Sequence, residues 1–531
     1  MQEIKIIIGA SYGDEGKGLA ADYFGSRGSD LINVLTNGGP QRGHTVEMPD
    51  GRRHVFKHFG AAAFRGAASY FDRQFLVNPM EFIREYEELS SIHKAPMAFM
   101  NPDCRFTTPW DMMVNQMLRE KKGIHNSCGF GIWETVLRYQ RGWGISFETF
   151  SRMTRDDRLA YLRRIRDLYF YVRIREIENM RAETAEKASG TAAFSTEQRK
   201  AFESMASALP YFRDMADFFF SEELLFHFEE DCECMRRLCP MRPESFLKHF
   251  QTVIFENAQG LLLDGNMNKQ RASGRKDGYA RISGLADICE RPPYEQCTAA
   301  QYIKAAQGRQ GGRRGAGCEC VERCESSQER SSACLFIPVC ERDIMSTSEN
   351  QQRASGRKDG YARISGLADI CERPHMSTSM DAEEEEYTTP STTGIGRVFQ
   401  TVERVFRGAD AEVCYITRSY LTRHGDGPME NEIKDDRMRD LLPGVGADFT
   451  NVENSFQGRL RYGMMDSDLL IKRIQDDYAR ACGPTGNHYR SSLMVTHMNE
   501  YSGVDTDLLA DCFGTLYLSD GRTGRDVRIC S

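Results

Sequence analysis

The residues best suited to chemistry lie close together near the start of the chain, in the segment GDEGKG at positions 13–18. Its glycines let the backbone turn tightly and approach a ligand closely. Lys17 brings a positive charge that suits a phosphate, and Asp14 and Glu15 place two carboxylates beside it. A carboxylate inside a phosphate-binding turn indicates a further task. Such a group binds Mg²⁺, or it takes a proton from a substrate held against the phosphate.

The elements on either side of this segment would aim it at a phosphate. A β-branched run at positions 4–8 (IKIII) predicts a short buried strand. Positions 19–24 (LAADYF) follow with helical spacing. Strand, glycine-rich turn and helix together direct free backbone N–H groups and a helix N-terminus at one point. The sequence therefore predicts a phosphate site, and a surface turn rich in small and charged residues is the alternative.

The segment matches neither of the two common phosphate-binding motifs. A P-loop has a glycine five residues before its Gly-Lys pair and a Ser or Thr after that pair. Here Ser11 and Gly18 occupy those two positions. The dinucleotide-binding fingerprint fails as well, because the order of the glycines is inverted. The segment therefore points to a different class of nucleotide site.

Together with a second motif, the segment resembles the adenylosuccinate synthetase family. The family's first signature is a GDEGKG turn after the first strand, and its second, GGHNAGHT, resembles positions 37–45 (NGGPQRGHT). Positions 31–37 (LINVLTN) predict the strand that delivers this second loop. Two strand-to-loop units that open one nucleotide site predict an α/β fold with a mostly parallel central sheet flanked by helices. The resemblance adds a P-loop-NTPase-like nucleotide site and a helical subdomain.

The resemblance implies a reaction and a role for each principal residue. In the family, GTP phosphorylates the 6-oxygen of IMP, and L-aspartate then displaces that phosphate to give adenylosuccinate. Asp14 would act as the base near purine N1, and His44 would hydrogen-bond the γ-phosphate as charge develops. Mg²⁺ would bind Asp14 and the Gly43 carbonyl, and Lys17 would neutralise phosphate charge. Gln259, in a stretch resembling the family's FEGAQGTLLD, would act on the purine nucleotide.

Further matches assign the binding residues. The residues assigned to the nucleotide are Gly13, Glu15, Gly16, Gly18, Gly43, Thr45, Arg461, His497, Asn499, Ser519 and Gly521. The residues assigned to the substrates are Asn37, Gln41, Ser127, Cys128, Arg138, Thr389 and Arg459. Paired arginines suit L-aspartate and phosphate, because a guanidinium binds either group through two hydrogen bonds. In the family, the arginine matched by Arg138 crosses a dimer interface; a solvated helix end is the alternative.

The base-binding end departs from the family's pattern. Where the family has TKLD, positions 496–499 read THMN, so His497 replaces the lysine and Asn499 replaces the aspartate. The aspartate accepts hydrogen bonds from guanine N1 and N2, whereas an asparagine offers one acceptor and one donor group. We therefore expect a weaker preference for GTP over ATP or dATP. The alternative is a register shift that puts Glu500 in the aspartate's place.

The middle of the chain differs from the rest in its repeats and its cysteine content. Positions 270–292 recur identically at 352–374, and 268–380 holds eight of the seventeen cysteines. The spacing of the clustered cysteines matches no usual zinc pattern. We predict that 268–380 is an insertion, poorly ordered or loosely packed. It would interrupt a catalytic domain formed by 1–267 and 381–531, in which 147–250 form the helical subdomain.

Composition narrows the class of protein. A net charge of −8 over 531 residues argues against a protein that coats nucleic acid. No apolar run approaches the roughly 18 residues of a membrane span, and the N-terminus lacks a signal-peptide pattern. Seventeen cysteines without framework spacing favour free thiols in a reducing compartment. We therefore expect a cytoplasmic protein with no nucleic-acid or membrane partner, and the resemblance implies a homodimer.

Three functional hypotheses remain open at this point. The first is a ligase acting on IMP. The second is the related phage-type enzyme, which joins aspartate to dGMP and, in that branch, has a smaller residue in place of the catalytic aspartate. Asp14 favours the first hypothesis, whereas Asn499 is compatible with the second. The third is a catalytically inactive nucleotide-binding protein, which would bind nucleotide without turnover.

Overall fold

The computed structural model describes most of the predicted catalytic part of the chain. The described ranges are 2–118, 129–174, 176–177, 218–263, 395–424, 428–434, 437–445, 459–481 and 487–530. They all belong to one unit, Met1–Lys304 with Ser377–Ser531. A second unit, Ala305–Met376, and the predicted insertion lie outside the described residues. So do the predicted substrate residues Ser127, Cys128 and Thr389.

Strands and helices follow one another along the described chain. The strands are β1 (Glu3–Gly9), β2 (Leu31–Leu35), β3 (His44–Glu47), β4 (Arg53–Phe56), β5 (Ala68–Phe71), β6 (Leu76–Val77), β7 (Ala98–Met100), β8 (Arg105–Phe106), β9 (Thr252–Gly260), β10 (Asp410–Arg418), β11 (Leu421–His424), β12 (Leu460–Gly463), β13 (His488–Thr496), β14 (Leu516–Ser519) and β15 (Val527–Ile529). The α-helices are α1 (Lys17–Gly25), α2 (Pro79–Ile92), α3 (Pro109–Leu118), α4 (Ile132–Gln140), α5 (Phe147–Arg152), α6 (Arg155–Arg164), α7 (Glu222–Leu238), α8 (Gly396–Val405), α9 (Met438–Leu441), α10 (Ser467–Ala481) and α11 (Thr506–Cys512). A π-helical segment spans Ile165–Phe170, and 3₁₀ segments span Ala61–Arg65, Glu244–His249, Leu261–Leu263 and Gly524–Asp526.

Nine strands form one sheet in the order β15-β14-β13-β10-β1-β9-β2-β5-β7. Every neighbouring pair is parallel except β14 and β15, which are antiparallel. The first strand of the chain therefore lies at the centre of the sheet. The predicted α/β fold with a mostly parallel sheet is confirmed.

Helices cover both faces of the sheet, which explains why its central strand is apolar. Side chains alternate between the two faces of a strand, so Ile7 packs with α1 in one core while Ile6 and Ile8 pack with α8 and α10 in the other. All three isoleucines are completely buried. Strands of a parallel sheet that is buried on both faces are typically continuous apolar runs. The predicted buried strand at positions 4–8 is confirmed.

The carboxyl ends of the central strands meet at one edge of the sheet. The segment 13–18 follows β1, and the second signature loop follows β2. Gln259 lies at the carboxyl end of β9, and His497 follows β13. In open α/β sheets, ligands bind outside the carboxyl ends of the strands. This edge is therefore where the candidate site is expected.

Within the described ranges, positions 147–250 contain helices α5, α6 and α7. The aromatic side chains of this region are buried, and they include Phe147, Phe150, Phe170, Phe219 and Phe228. The indole of Trp110 on α3 donates a 2.8 Å hydrogen bond to the Phe219 carbonyl, which joins this region to the rest of the chain. Nowhere in the described ranges is a helix both long enough and apolar enough to cross a membrane.

Candidate active site

The turn between β1 and α1 has an unusual backbone. Three of its residues have positive φ angles, namely Gly13 at 98°, Asp14 at 59° and Gly16 at 97°. Glycine adopts this region without steric cost, and aspartate is one of the few other residues that enters it readily. Gly16 is the N-cap residue of α1. The glycine pattern of the sequence thus corresponds to the places where the backbone reverses.

A buried ion pair holds the inside of this turn. The Glu15 carboxylate accepts hydrogen bonds from the backbone N–H groups of Ser11 at 3.1 Å and Gly13 at 2.7 Å. The Lys17 ammonium donates to the same carboxylate at 2.6 Å, and both side chains are buried. Glu15, predicted as a nucleotide ligand, therefore lies inside the turn, where it shapes the backbone and locates Lys17.

Close backbone contacts bring the two signature segments together. A Cβ atom added to Gly18 would lie 2.4 Å from the Thr45 carbonyl oxygen, and one added to Gly260 would lie 2.2 Å from the Ser11 carbonyl oxygen. Real Cβ atoms do not approach so closely, so only glycine fits at either position. The start of α1 consequently packs directly on β3, and the end of β9 packs on the turn.

His44, the first residue of β3, is buried against β9. Its ring Nδ1 is hydrogen-bonded to the Glu256 carboxylate, and its Nε2 lies 3.2 Å from the Ala258 carbonyl oxygen. Arg42 Nη1 lies 3.2 Å from the same Glu256 carboxylate. Burial alone raises the pKa of the Glu256 carboxyl, but Arg42 and His44 outweigh it and lower that pKa to about 2. Burial lowers the pKa of His44 despite the opposing effect of Glu256.

Two side-chain amides at this edge are buried without hydrogen-bond partners among the described residues. They belong to Gln41, in the loop after β2, and Gln259, at the end of β9. A buried polar group without a partner costs roughly 1–3 kcal/mol, so both amides are suited to meet a polar ligand. Asn37 instead accepts a 2.9 Å hydrogen bond from the Ala258 N–H, and it thereby ties the loop after β2 to β9.

Basic residues from β10 and β11 surround Asp14. The Arg418 guanidinium donates to the Asp14 backbone carbonyl at 2.6 Å. His424 Nε2 lies 3.6 Å from an Asp14 carboxylate oxygen, and the side chains of Asp14 and His424 are both buried. Neither Arg418 nor His424 was predicted as a site residue from the sequence.

The predicted base-binding residues lie at one end of the same edge. His497 has a positive φ of 62°, and its Nδ1 is 2.8 Å from the Thr496 hydroxyl. Asn499 follows in the turn and is exposed. Ser519 donates a 3.0 Å hydrogen bond to the carbonyl of Gly521. The Ser519 carbonyl accepts from the Met498 N–H at 3.0 Å, so the two base-side segments are joined.

Glu500, the alternative to Asn499 as the base-reading residue, is engaged elsewhere. Its carboxylate accepts a hydrogen bond from the Tyr420 hydroxyl. The Arg418 guanidinium donates to that hydroxyl at 3.0 Å. The carboxylate of Glu500 is therefore already part of a chain of hydrogen bonds that leads to the Asp14 backbone.

The two predicted arginines lie at or next to β12. Arg461 pairs in register with Arg423 of β11 and donates to Glu432 at 2.8 Å. Arg459 precedes the strand and is exposed. Strand pairing thus places Arg461 close to the segment that ends at His424.

Arg138 lies in the interior and is paired there with Asp111. Its side chain is completely buried, and its guanidinium donates to Asp111 at 2.9 Å and to the Phe106 carbonyl at 2.8 Å. The alternative of a solvated helix end is therefore wrong. The physical reason is Asp111 on α3, a buried carboxylate that needs a paired cation and that the sequence pattern around Arg138 does not reveal.

Comparison with known proteins identifies relatives of this chain. The adenylosuccinate synthetase family model matches residues 6–271. The adenylosuccinate synthetase of Borrelia duttonii is 28% identical over 122 residues, which are 23% of this chain and 28% of that protein. The enzyme of that name from Synechocystis is 26% identical over 143 residues, which are 26% of this chain and 32% of that protein. The aligned stretch therefore spans less than a third of these relatives' length.

Two solved structures are similar to the model. Fully ligated adenylosuccinate synthetase from Plasmodium falciparum aligns at a TM-score of 0.46 and 13% identity, covering 95% of this chain and 78% of that one. Succinoaminodeoxyadenylate synthetase of cyanophage S-2L, bound to dGMP and dATP, aligns at 0.45 and 12% identity, covering 99% and 95%. Because the family model covers half of the sequence, including both signature segments and Gln259, the chain belongs to the adenylosuccinate synthetase family.

Proposed function

We propose that this protein is a C–N bond-forming ligase of purine nucleotide biosynthesis. It would join L-aspartate to IMP at the expense of a nucleoside triphosphate and give adenylosuccinate. The reaction would pass through an intermediate phosphorylated on the 6-oxygen of the purine.

The observation that carries this proposal is the contact between the two signature segments. The start of α1 packs on β3 so closely that Gly18 has no room for a Cβ atom beside Thr45. This contact places the turn with Asp14 and Lys17 beside the strand that begins with His44. A carboxylate, a cation and an imidazole would thereby meet at the carboxyl edge of the sheet, where they would position and stabilise a transferring phosphoryl group.

Each residue of this cluster has a task that suits its chemistry. The backbone of the turn at Gly13, Gly16 and Gly18, with Gly43 and Thr45 from the second segment, would receive the phosphates. Lys17 would balance their charge. Asp14 would take the proton from purine N1, and His44 would hydrogen-bond the γ-phosphate as it is transferred.

Mg²⁺ fits this site if the nucleotide supplies most of its ligands. No cage of three or more His, Cys, Asp or Glu side chains occurs within the described ranges. In proteins Mg²⁺ is commonly held by one or two carboxylates together with substrate phosphates, and Asp14 is a buried carboxylate beside the phosphate-binding turn. Asp14 and the Gly43 carbonyl would hold the ion, whose charge would offset that of the phosphates.

The purine and the amino acid would contact different residues. The unpartnered amides of Gln41 and Gln259 would bind the purine nucleotide. Asn37 would orient the loop after β2, which carries Gln41. Arg459 and Arg461 would bind L-aspartate and nucleotide phosphate. Ser127, Cys128 and Thr389 stay predictions for the IMP phosphate, whereas Arg138 is already paired with Asp111 inside the protein.

The nucleoside of the phosphate donor would meet His497, Asn499, Ser519 and Gly521. Asn499 offers one neutral carbonyl oxygen to the guanine N1 and N2 donors in place of two charged carboxylate oxygens, and Glu500 is bound to Tyr420. We therefore expect ATP or dATP to serve beside GTP.

The compartment, the oligomeric state and the domain organisation of the protein are also part of the proposal. We propose a cytoplasmic homodimer in which 268–380 interrupts the catalytic domain. The described cysteines are all free thiols, which supports a reducing compartment. The family supplies the expectation of a dimer.

A turnover assay tests the function directly. The purified chain is incubated with L-aspartate, Mg²⁺ and either IMP or dGMP, each with GTP or ATP, and products are identified by mass spectrometry. Adenylosuccinate formed from IMP with equal release of phosphate is the expected result. Product formed from dGMP but not from IMP would show that dGMP is the substrate. Nucleotide binding without any product would identify an inactive nucleotide-binding protein.

A further inference from the structure

We propose that Glu256 is a positioning residue for His44, and that Arg42 holds Glu256 in place for this task. The pair would fix the imidazole so that Nδ1 faces the protein and Nε2 faces the bound phosphate. This inference rests on the proposed function, because it concerns how one residue of that site is oriented.

The Glu256 carboxylate is held at both oxygens. One oxygen is hydrogen-bonded to His44 Nδ1 and lies 3.2 Å from Arg42 Nη1. The other accepts a 3.0 Å hydrogen bond from the Ala61 N–H. The side chain is completely buried, so water does not compete for these bonds. A carboxylate held at both oxygens cannot rotate, and it therefore defines the plane in which the imidazole lies.

Arg42 is anchored in turn by the backbone of the segment after β4. Its Nε donates to the Lys57 carbonyl at 2.8 Å, and its Nη2 donates to the Phe59 carbonyl. The family signature GGHNAGHT has alanine at this position, so the buried arginine is a departure of this chain. An unpaired buried carboxylate is costly, and a cation fixed beside it keeps it ionised. An ionised carboxylate can only accept hydrogen bonds, which makes Nδ1 of His44 the donor.

The second ring nitrogen has a weaker contact. Nε2 lies 3.2 Å from the Ala258 carbonyl oxygen, next to the unpartnered amide of Gln259. The Ala258 carbonyl and a phosphate oxygen both accept hydrogen bonds, so Nε2 donates to either of them only when both ring nitrogens carry a proton. The Glu256 carboxylate would hold this doubly protonated ring at Nδ1 and keep it from turning, while a phosphate oxygen that enters beside Gln259 takes the place of the carbonyl at Nε2.

The variant Glu256→Gln tests this arrangement. An amide presents only one oxygen, so it cannot satisfy the donors on both sides. We expect kcat to fall roughly 10- to 100-fold with little change in the KM for nucleotide, which is less than the about 10²–10⁴-fold contributed by a positioned acid or base. Glu256→Asp keeps the charge and would retain more of the activity; it also serves as the second variant if Glu256→Gln does not fold.

Glu229→Gln is the matched control. Glu229, on α7, is also a buried carboxylate held at both oxygens, which accept hydrogen bonds from Arg155 at 2.9 Å and Arg158 at 2.8 Å. Both of these arginines belong to α6, outside the candidate site. If Glu256 acts only as structural support, the two variants should lose kcat equally, and that outcome would overturn the proposal.

A spectroscopic readout separates this inference from the proposed function. In protein labelled with ¹⁵N at histidine, the Nδ1–H proton of His44 should resonate far downfield because of its carboxylate partner, and His44→Asn assigns the signal. We expect the signal in the wild type and in Glu229→Gln, and its loss or large shift in Glu256→Gln. An unchanged signal in Glu256→Gln refutes the positioning role, even if the wild type turns over. The expected pattern without any ligase turnover supports the positioning role and refutes the proposed function.

Discussion

At the phosphate end of the candidate site, Asp14 and His44 are buried and contacted by residues far away in the chain, whereas at the base end Asn499 is exposed. The phosphate end is closed by glycine contacts and buried ion pairs, which leave little room for a different side chain. The base end consists of the turns that follow β13 and β14. The first region also follows the family's signatures closely, and the second departs from them. Rigid surroundings therefore restrict the phosphate chemistry, while the choice of base is left to residues that can vary.

The largest effect is expected at the buried end, in Asp14→Asn. An amide of the same shape cannot take a proton, so turnover should fall by about 10²–10⁴-fold. Nucleotide binding, measured by calorimetry, should persist because the turn and Lys17 remain. Turnover within a few-fold of the wild type would remove Asp14 from the proposed mechanism.

Adding a methyl group at the contact between the two signature segments should also have a severe effect on stability and nucleotide binding. In Gly18→Ala the new Cβ would lie 2.4 Å from a backbone carbonyl, and forced overpacking typically costs about 1–3 kcal/mol. We expect a lower melting temperature together with lost nucleotide binding. Gly396→Ala is the control, because nothing lies within 4 Å of the added Cβ and alanine favours a helix; equal losses in both variants would contradict the close contact.

The exposed end should respond by changing selectivity with little effect on stability. Asn499→Asp restores the carboxylate of the family's motif, which can accept from both guanine donors. Because position 499 is exposed, the gain is that of an ordinary hydrogen bond, about 0.5–1.5 kcal/mol, and the ratio of kcat/KM for GTP to that for ATP should rise roughly threefold to tenfold. A strong wild-type preference for GTP that is the same in the variant would show that Asn499 does not read the base.

Burial of Asp72, outside the candidate site, also creates a dependence of stability on pH. Asp72 follows β5, and burial, reinforced by Glu244, raises its pKa to about 7 despite Arg73 and Arg404. A carboxyl group with a raised pKa in the folded state favours folding while it is protonated. This contribution is complete below about pH 4, the usual pKa of aspartate, and is lost as the pH rises through about 7.

Asp72→Asn should remove that dependence. At pH 8 the variant should be more stable than the wild type by on the order of 1–3 kcal/mol, because it has no carboxylate to ionise. The difference should vanish near pH 4. Denaturant unfolding at both pH values provides the measurement. A variant that is less stable than the wild type at pH 8 would contradict a buried carboxyl group with a raised pKa.

The smallest effect is expected from removing 268–380. The repeated segment and the change in composition place it outside the catalytic chemistry, so the joined protein should fold and keep its site. Circular dichroism, thermal melting and nucleotide binding compare it with the full chain. A deletion variant that does not fold would show that the segment is integral to the domain.

Local features of the sequence determined the architecture and the centre of the site. The run at positions 4–8 predicted a buried strand, because β-branched residues favour strands and strands buried on both faces of a sheet are typically rich in apolar residues. The glycine spacing of 13–18 predicted the turn, because its positions correspond to backbone angles that glycine adopts freely. Both are properties of neighbouring residues, so they can be read without knowing what the rest of the chain does.

Only the tertiary structure decided which side chains face one another. Glu256 reaches His44 from 212 positions away in the chain, Arg418 reaches the Asp14 backbone from 404 positions away, and Asp111 withdraws Arg138 into the interior. A buried charge takes whichever partner the packing of strands and helices brings within hydrogen-bond distance. That partner depends on strand order and register, which link distant segments and leave no mark on the residues next to either charge.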